Sequence, residues 1–277
     1  MKRRIPSSQI LLCGAALVIG TVHAEDITMT DGQVYLNSTL RKSGELIMIK
    51  IQVAGGSGSM EMGIPVARIA KVAFPEPPEL SKAMVSASKG NATEVLSLTD
   101  DYVAKQGGFK ELPGSWWPEM ARLRVLALAA SSKDTDCAEL ARQMGTIKSP
   151  TFESLSRAGT LFSSLASSDL EAVIVGAKAL PRIGGDQGSA LAQLALGRAL
   201  MIKKDYPGAL RAFLTIKVFY PSVALLQPSA LMGAANAYLG LKDEKRAAQS
   251  FNEVIKEWPS SPLSVEAKKK AEAYAQP

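Results

Sequence analysis

Four residues near the C-terminus return at a single spacing. Leu200, Ala209, Phe213 and Pro221 are followed 38 residues later by Tyr238, Ala247, Phe251 and Pro259. The order within each set is the same: a medium apolar residue, Ala nine on, Phe four further, Pro eight further. An echo of this length belongs to a helical hairpin repeated in tandem, because one hairpin cannot bury its apolar face alone and stacks on the next. In the first unit the spacing predicts one helix carrying Leu196 to Ile202 and a second carrying Ala209 to Val218. Gly197 and Ala209 let the two axes approach, Phe213 fills the space between hairpins, and Pro221 ends the second helix. Residues 222–229 take up the surplus length between units, and 264–275 read as a closing helix with Glu and Lys on one side.

Upstream, Gly and Pro punctuation (Gly107-Gly108, Pro113-Gly114, Ser149-Pro150, Gly184-Gly185) separates apolar-periodic stretches predicted as helices over 79–89, 92–105, 117–130, 134–144, 151–165 and 170–180. They pair into hairpins but do not carry the later echo, and read as degenerate units. Before them, Pro75-Glu76-Pro77-Pro78 marks a boundary, since three prolines in four residues suit an extended connector. The segment before that boundary reads as β: a turn at Asp31-Gly32, and strict alternation from Leu46 to Val53 that places Ile47, Ile49, Ile51 and Val53 on one face. So small a sheet has little core of its own and is expected to lean on the helices.

The first 24 residues have the three-part layout of a secretory signal: Lys2, Arg3 and Arg4, an uncharged run from Ile10 to Val22, and Val22-His23-Ala24 before Glu25. Cys13, preceded by Leu12 near the start of the run, does not fit a lipidation site. The expected organisation is therefore signal 1–24, β module 25–75, degenerate hairpins 76–189, and repeats with a capping helix 190–277. The fold class is α+β, mostly α.

Export would strip chemistry from the chain. The formal charge falls from +6 to +3 with Lys2, Arg3 and Arg4 gone, and no basic block of the kind nucleic acid selects remains; Lys268-Lys269-Lys270 reads as a solvated face. His23, the only histidine, would also be lost, leaving no imidazole for a triad, a metal or a general base. Cys137 would be the only thiol, a small buried hydrophobe in a helix and without a disulfide partner. Ser86-x-x-Lys89 lacks the companion motifs of penicillin-interacting enzymes. Gly55–Gly58 and Gly185-Asp-Gln-Gly188 lack the endings of nucleotide loops. Asp100 and Asp101 are adjacent and point apart on a helix. No catalytic residue, cofactor or metal ligand is expected, and no transmembrane segment in the mature chain.

Tyr206-Pro-Gly-Ala-Leu with Phe219-Tyr220-Pro221-Ser222, and the stretch from Lys242 to Phe251 with Trp258-Pro259-Ser260-Ser261-Pro262, resemble periplasmic tetratricopeptide proteins of Gram-negative envelopes. These include the coordinator of the Tol-Pal system and the helical lipoprotein of the outer-membrane β-barrel assembly machine. The resemblance covers about a third of the chain. It departs from the lipoprotein in lacking a lipobox, and from the coordinator in having a β segment where that protein has a coiled coil. The resemblance implies an α-solenoid that binds a protein or peptide in the periplasm, as an adaptor in envelope assembly or maintenance. The repeat register puts Leu194, Arg198, Met201, Met232, Asn236 and Leu239 on the inner groove, with Arg198 and Asn236 at one register position. The groove is either open to a peptide or filled by the chain's own last helix. Trp116 is a further candidate partner contact, with core packing of the Trp116-Trp117 pair as its alternative. Self-assembly through edges of the β module is the competing expectation, and a histidine-free hydrolase a third. The partner and the oligomeric state are not legible.

Overall fold

The computed structural model describes residues 21–52, 58–180 and 186–274. Residues 53–57 of the Gly55 loop, Gly184-Gly185 and residues 1–20 of the expected signal, Cys13 among them, lie outside them. Five strands, β1 (Thr21–Met29), β2 (Val34–Ser43), β3 (Leu46–Gln52), β4 (Ser59–Pro65) and β5 (Ile69–Ala73), precede eleven helices. The chain is mostly α, with a small N-terminal antiparallel β region. The strands form one sheet in the order β4-β3-β2-β1-β5. β1 starts upstream of the cleavage expected after Ala24, but Asp26, Ile27 and Thr28, which pair with both β2 and β5, lie downstream of it.

The sheet's core draws on both faces of the β1–β2 ribbon. Ile27 and Tyr35 pair at one end and face the core; at the other end Ser38 and Leu40, of opposite parity, are buried. The ribbon must coil for both ends to reach one core. That core is completed from outside the sheet by Phe109 and Leu112, which lie after the second helix. The same connector pairs with β5: the Val72 amide donates to the Pro113 carbonyl at 2.9 Å. Gly114 makes this approach possible. Its φ is +95°, and a Cβ there would fall inside the Val72 carbonyl oxygen. The module leans on the connector between two helices more than on the helices themselves.

The helices are α1 (Pro78–Ser88), α2 (Ala92–Gln106), α3 (Trp117–Ala130), α4 (Asp134–Met144), α5 (Pro150–Ala166), α6 (Leu170–Ala179), α7 (Gln187–Ile202), α8 (Tyr206–Phe219), α9 (Gln227–Gly240), α10 (Glu244–Glu257) and α11 (Leu263–Tyr274). Successive helices pair into hairpins that share one turn. Gly90, Ser132, Ser168, Lys204 and Lys242 all adopt positive φ. The next residue's amide donates to the carbonyl five residues back: Asn91 to Ser86, Lys133 to Leu128, Asp169 to Ser164, Asp205 to Leu200, and Asp243 to Tyr238. This closes the first helix of each pair in the manner of a Schellman turn. In every hairpin but the second, the same residue's side chain then caps the next helix: Asn91, Asp169, Asp205 and Asp243 each accept an amide three residues on.

The upstream hairpins are thus units of the same array. The place of Ala209 is taken by Val95, Cys137 and Val173, and that of Phe213 by Thr99, Ala141 and Ala177, all buried. Phe213 is clasped between α7 and α9, where Gly197 and Gly233 leave no room for a Cβ beside its ring. The surplus length between the last two repeats does not form an exposed loop. A 3-10 turn, Ala224–Leu226, packs against α1 and α3, and Gln227 Nε2 donates to the Ile216 and Tyr220 carbonyls at the end of α8. Gly90 in the first hairpin turn lies against Pro228 and Trp258. The array therefore winds until its fifth hairpin touches its first.

Candidate partner-binding site

That winding decides what remains of the groove. The α7 sequence is apolar on all sides, and such a helix is stable only when surrounded. Gly188, Leu191, Ala195 and Ala199 are among its buried residues, and α5, α6, α8 and α9 all contact it. Leu194, expected on an open groove, is fully buried and reaches no surface. An accessible concavity survives where the inner helices end. It has a volume of about 430 Å³ and lies between the α3–α4 turn, the ends of α5 and α7, the α9 face and the start of α11. Arg198, Met201, Met232 and Asn236 all line it. Leu239 does not; it packs half-buried in the cluster around α9, α10 and α11.

Arg198 forms the floor. Its guanidinium donates to Asp134 Oδ1 at 2.9 Å and to the Ala129 carbonyl at 2.6 Å, with Ser229 Oγ at 3.4 Å, and it stacks over the Phe162 ring. Ala129 and Asp134 flank the α3–α4 turn, so this one side chain ties α7 to a hairpin two units earlier in the chain. Burial pushes the Asp134 carboxyl above its ordinary pKa, the opposing pull of Arg198 being smaller; the same burial lowers the Arg198 pKa against the pull of Asp134. Arg198 lines the cavity as expected, and its two terminal nitrogens also serve as a structural tie within the chain. Asn236 is also engaged: its Oδ1 accepts from Lys270 Nζ at 3.1 Å. Lys270, expected on a solvated face, pairs with Glu266 as well and lies over the Phe251 ring.

The last helix walls the cavity without filling it. Leu263 and Glu266 of α11 form one side, and Leu165, Met201, Ile202, Phe213 and Met232 supply apolar surface. Ile202 is 58% exposed. With Arg198 held by Asp134 and Glu266 by Lys270, the charges are internally balanced. What is presented is a hollow of mixed polar and apolar lining, with Met201 and Met232 among its apolar residues; methionine adapts to irregular apolar shapes. Asp134, Leu165, Ile202, Leu263 and Glu266 were not legible as lining residues, because the winding that gathers them has no local sequence signal.

Trp116 is placed elsewhere. Its Nε1 donates to the Phe74 carbonyl at 3.2 Å, and its ring packs half-buried against the helical core, so it joins the β module to α3. Trp117 is fully buried, with Nε1 donating to the Val103 carbonyl at 2.9 Å. The other sequence candidates resolve into local structure. Ser86 is buried in α1, where its carbonyl accepts from the Lys89 and Asn91 amides, Asp100 and Asp101 pair separately with Arg124 and Lys105, and Asp186 caps α7. Cys137 is buried, and burial pushes its thiol up to about 12. Among the described residues no three His, Cys, Asp or Glu are grouped to hold a metal ion, and no helix is long and apolar enough to cross a membrane. No protein-family model matches the chain, and no curated protein was found to be similar to it.

Proposed function

We propose that this chain is an exported, non-catalytic adaptor of the tetratricopeptide type, working in the periplasm on a protein partner in envelope assembly or maintenance. The observation that carries the reading is the preformed, charge-balanced hollow at the ends of α5, α7 and α9. Its walls are packed before any ligand arrives, so little ordering entropy is lost on binding. Its volume of about 430 Å³ suits a few apolar side chains of a partner segment rather than a long peptide laid across the array. Export rests on the signal-like layout before Glu25, and the tetratricopeptide assignment on the repeated Ala, Phe and Pro positions together with the shared hairpin turn.

The test is a photo-crosslinking amino acid placed at Ile202, on the rim of the hollow, and separately at Val175, which is 60% exposed on α6. Discrete adducts in intact envelopes from Ile202 and not from Val175 are expected. Adducts of the same pattern from both positions, or none from Ile202, overturn the reading. Arg198→Glu is unsuitable for this purpose, because it removes the tie between α7 and the α3–α4 turn.

A further inference from the structure

The two edges of the sheet are treated differently. β5 is blocked: Val72 gives its amide to Pro113, and the β1–β5 register slips at Thr28/Met29. β4 forms the other edge, and no backbone group among the described residues pairs with its outer side. It also lacks the devices that keep an edge from pairing. It carries no Lys, no bulge against β3, and no Pro before its last residue. Its single charge, Glu61, is drawn back across the sheet to Arg41 at 3.1 Å. Met60 is 51% exposed and Met62 partly exposed, both on the face whose other residues, Ile47, Ile49 and Ile64, are buried.

We propose that β4 pairs antiparallel with β4 of a second copy of this chain, with Met62 on the two-fold axis. The strand is self-complementary in that register. Met62 meets Met62, Met60 meets Ile64, and Glu61 meets Gly63, which sets no second charge against it. Shifting the axis by one residue toward the N-terminus would set Glu61 against Glu61, a like-charge pair that antiparallel sheets disfavour. The paired form continues two five-stranded sheets into one and gives Met60 and Met62 an apolar neighbour.

The test measures mass by light scattering across a wide concentration range, together with cysteine crosslinking. In a Cys13→Ser chain the buried Cys137 is silent, so Met62→Cys places one accessible thiol on the axis. Cα atoms of facing antiparallel residues lie about 4.5–5.5 Å apart, inside the range a disulfide spans. Met60→Cys places two thiols roughly 13 Å apart, at about 3.3 Å per residue, beyond its reach. Expected are a doubling of mass with concentration, rapid oxidative dimerisation of Met62→Cys but not of Met60→Cys, and loss of the dimer in Met60→Lys, whose melting curve matches that of the wild type at concentrations where both are monomeric. Met60 is exposed, so that variant leaves the fold intact. A wild type monomeric throughout, or a dimer that Met60→Lys leaves untouched, overturns the proposal, as does equal crosslinking of the two cysteine variants.

Discussion

Arg198→Ala should be among the most damaging single changes in the helical array, and the reason lies in what it leaves behind. The Arg198 and Asp134 side chains are 16% and 21% exposed. Removing the guanidinium strands the carboxylate in its partly dry site and takes a charged donor from the Ala129 carbonyl at the end of α3. Breaking a buried pair from one side costs about 3–5 kcal/mol. The pair itself adds little net stability, since burial outweighs attraction at both groups. Arg198→Met with Asp134→Leu should therefore lie within about 2 kcal/mol of wild type, or above it. Urea titration at constant pH reads both. The sign of the pH effect is fixed too. A carboxyl whose folded pKa is raised contributes fully below its unfolded value near 3.8 and loses that contribution as pH climbs through the folded value. The Arg198→Ala deficit should accordingly widen as pH rises from below 3.8, whereas the double variant should lack this limb. A single-variant cost below about 1 kcal/mol, or a double variant as damaged as the single one, would refute the reasoning.

Gly114→Ala should cost about 2–4 kcal/mol, combining left-handed backbone strain with loss of the Val72–Pro113 bond. It should also open the linker at 74–77 to limited proteolysis, and a change under about 1 kcal/mol would mean the connector does not hold the sheet. Ser38→Ala should stabilise the β module by about 1 kcal/mol, because its fully buried hydroxyl finds no partner among the described residues; a lower thermal midpoint would contradict this.

Most helix positions were legible because their ends are chemically marked. The stretches 117–130 and 134–144 coincide with α3 and α4, and the others agree to within a residue or two, except that α7 and α8 extend beyond the stretches read from the echo. The repeat was read too narrowly, through residue identity. At the position of Phe213 the array demands burial, and Thr99 satisfies it by donating its hydroxyl to the Val95 carbonyl, while Ala141 and Ala177 do so by being small. What persists across the units is the turn, visible in Gly90-Asn91, Ser168-Asp169, Lys204-Asp205 and Lys242-Asp243. The repeat register brought Arg198, Met201, Met232 and Asn236 to one cavity, but a register says nothing about how far an array winds. Leu194 is one helical turn from Arg198 on the same face, deep enough to be sealed inside.

This winding limits how any partner can bind. An open solenoid offers a groove along its whole inner face, whereas here α7 fills that space and leaves a hollow at one end. A hollow of about 430 Å³ accepts an anchor, and one anchor of a few apolar side chains gives modest affinity. Pairing of two copies through β4 would change that without any new contact at the hollow. Two hollows on one particle turn the second binding event into an intramolecular one, raising avidity 10²- to 10⁴-fold when the geometry permits both. The two proposals then make a joint demand that neither makes alone. A partner carrying two copies of the anchoring segment should lose affinity for the Met60→Lys chain, while a partner carrying one should bind it unchanged.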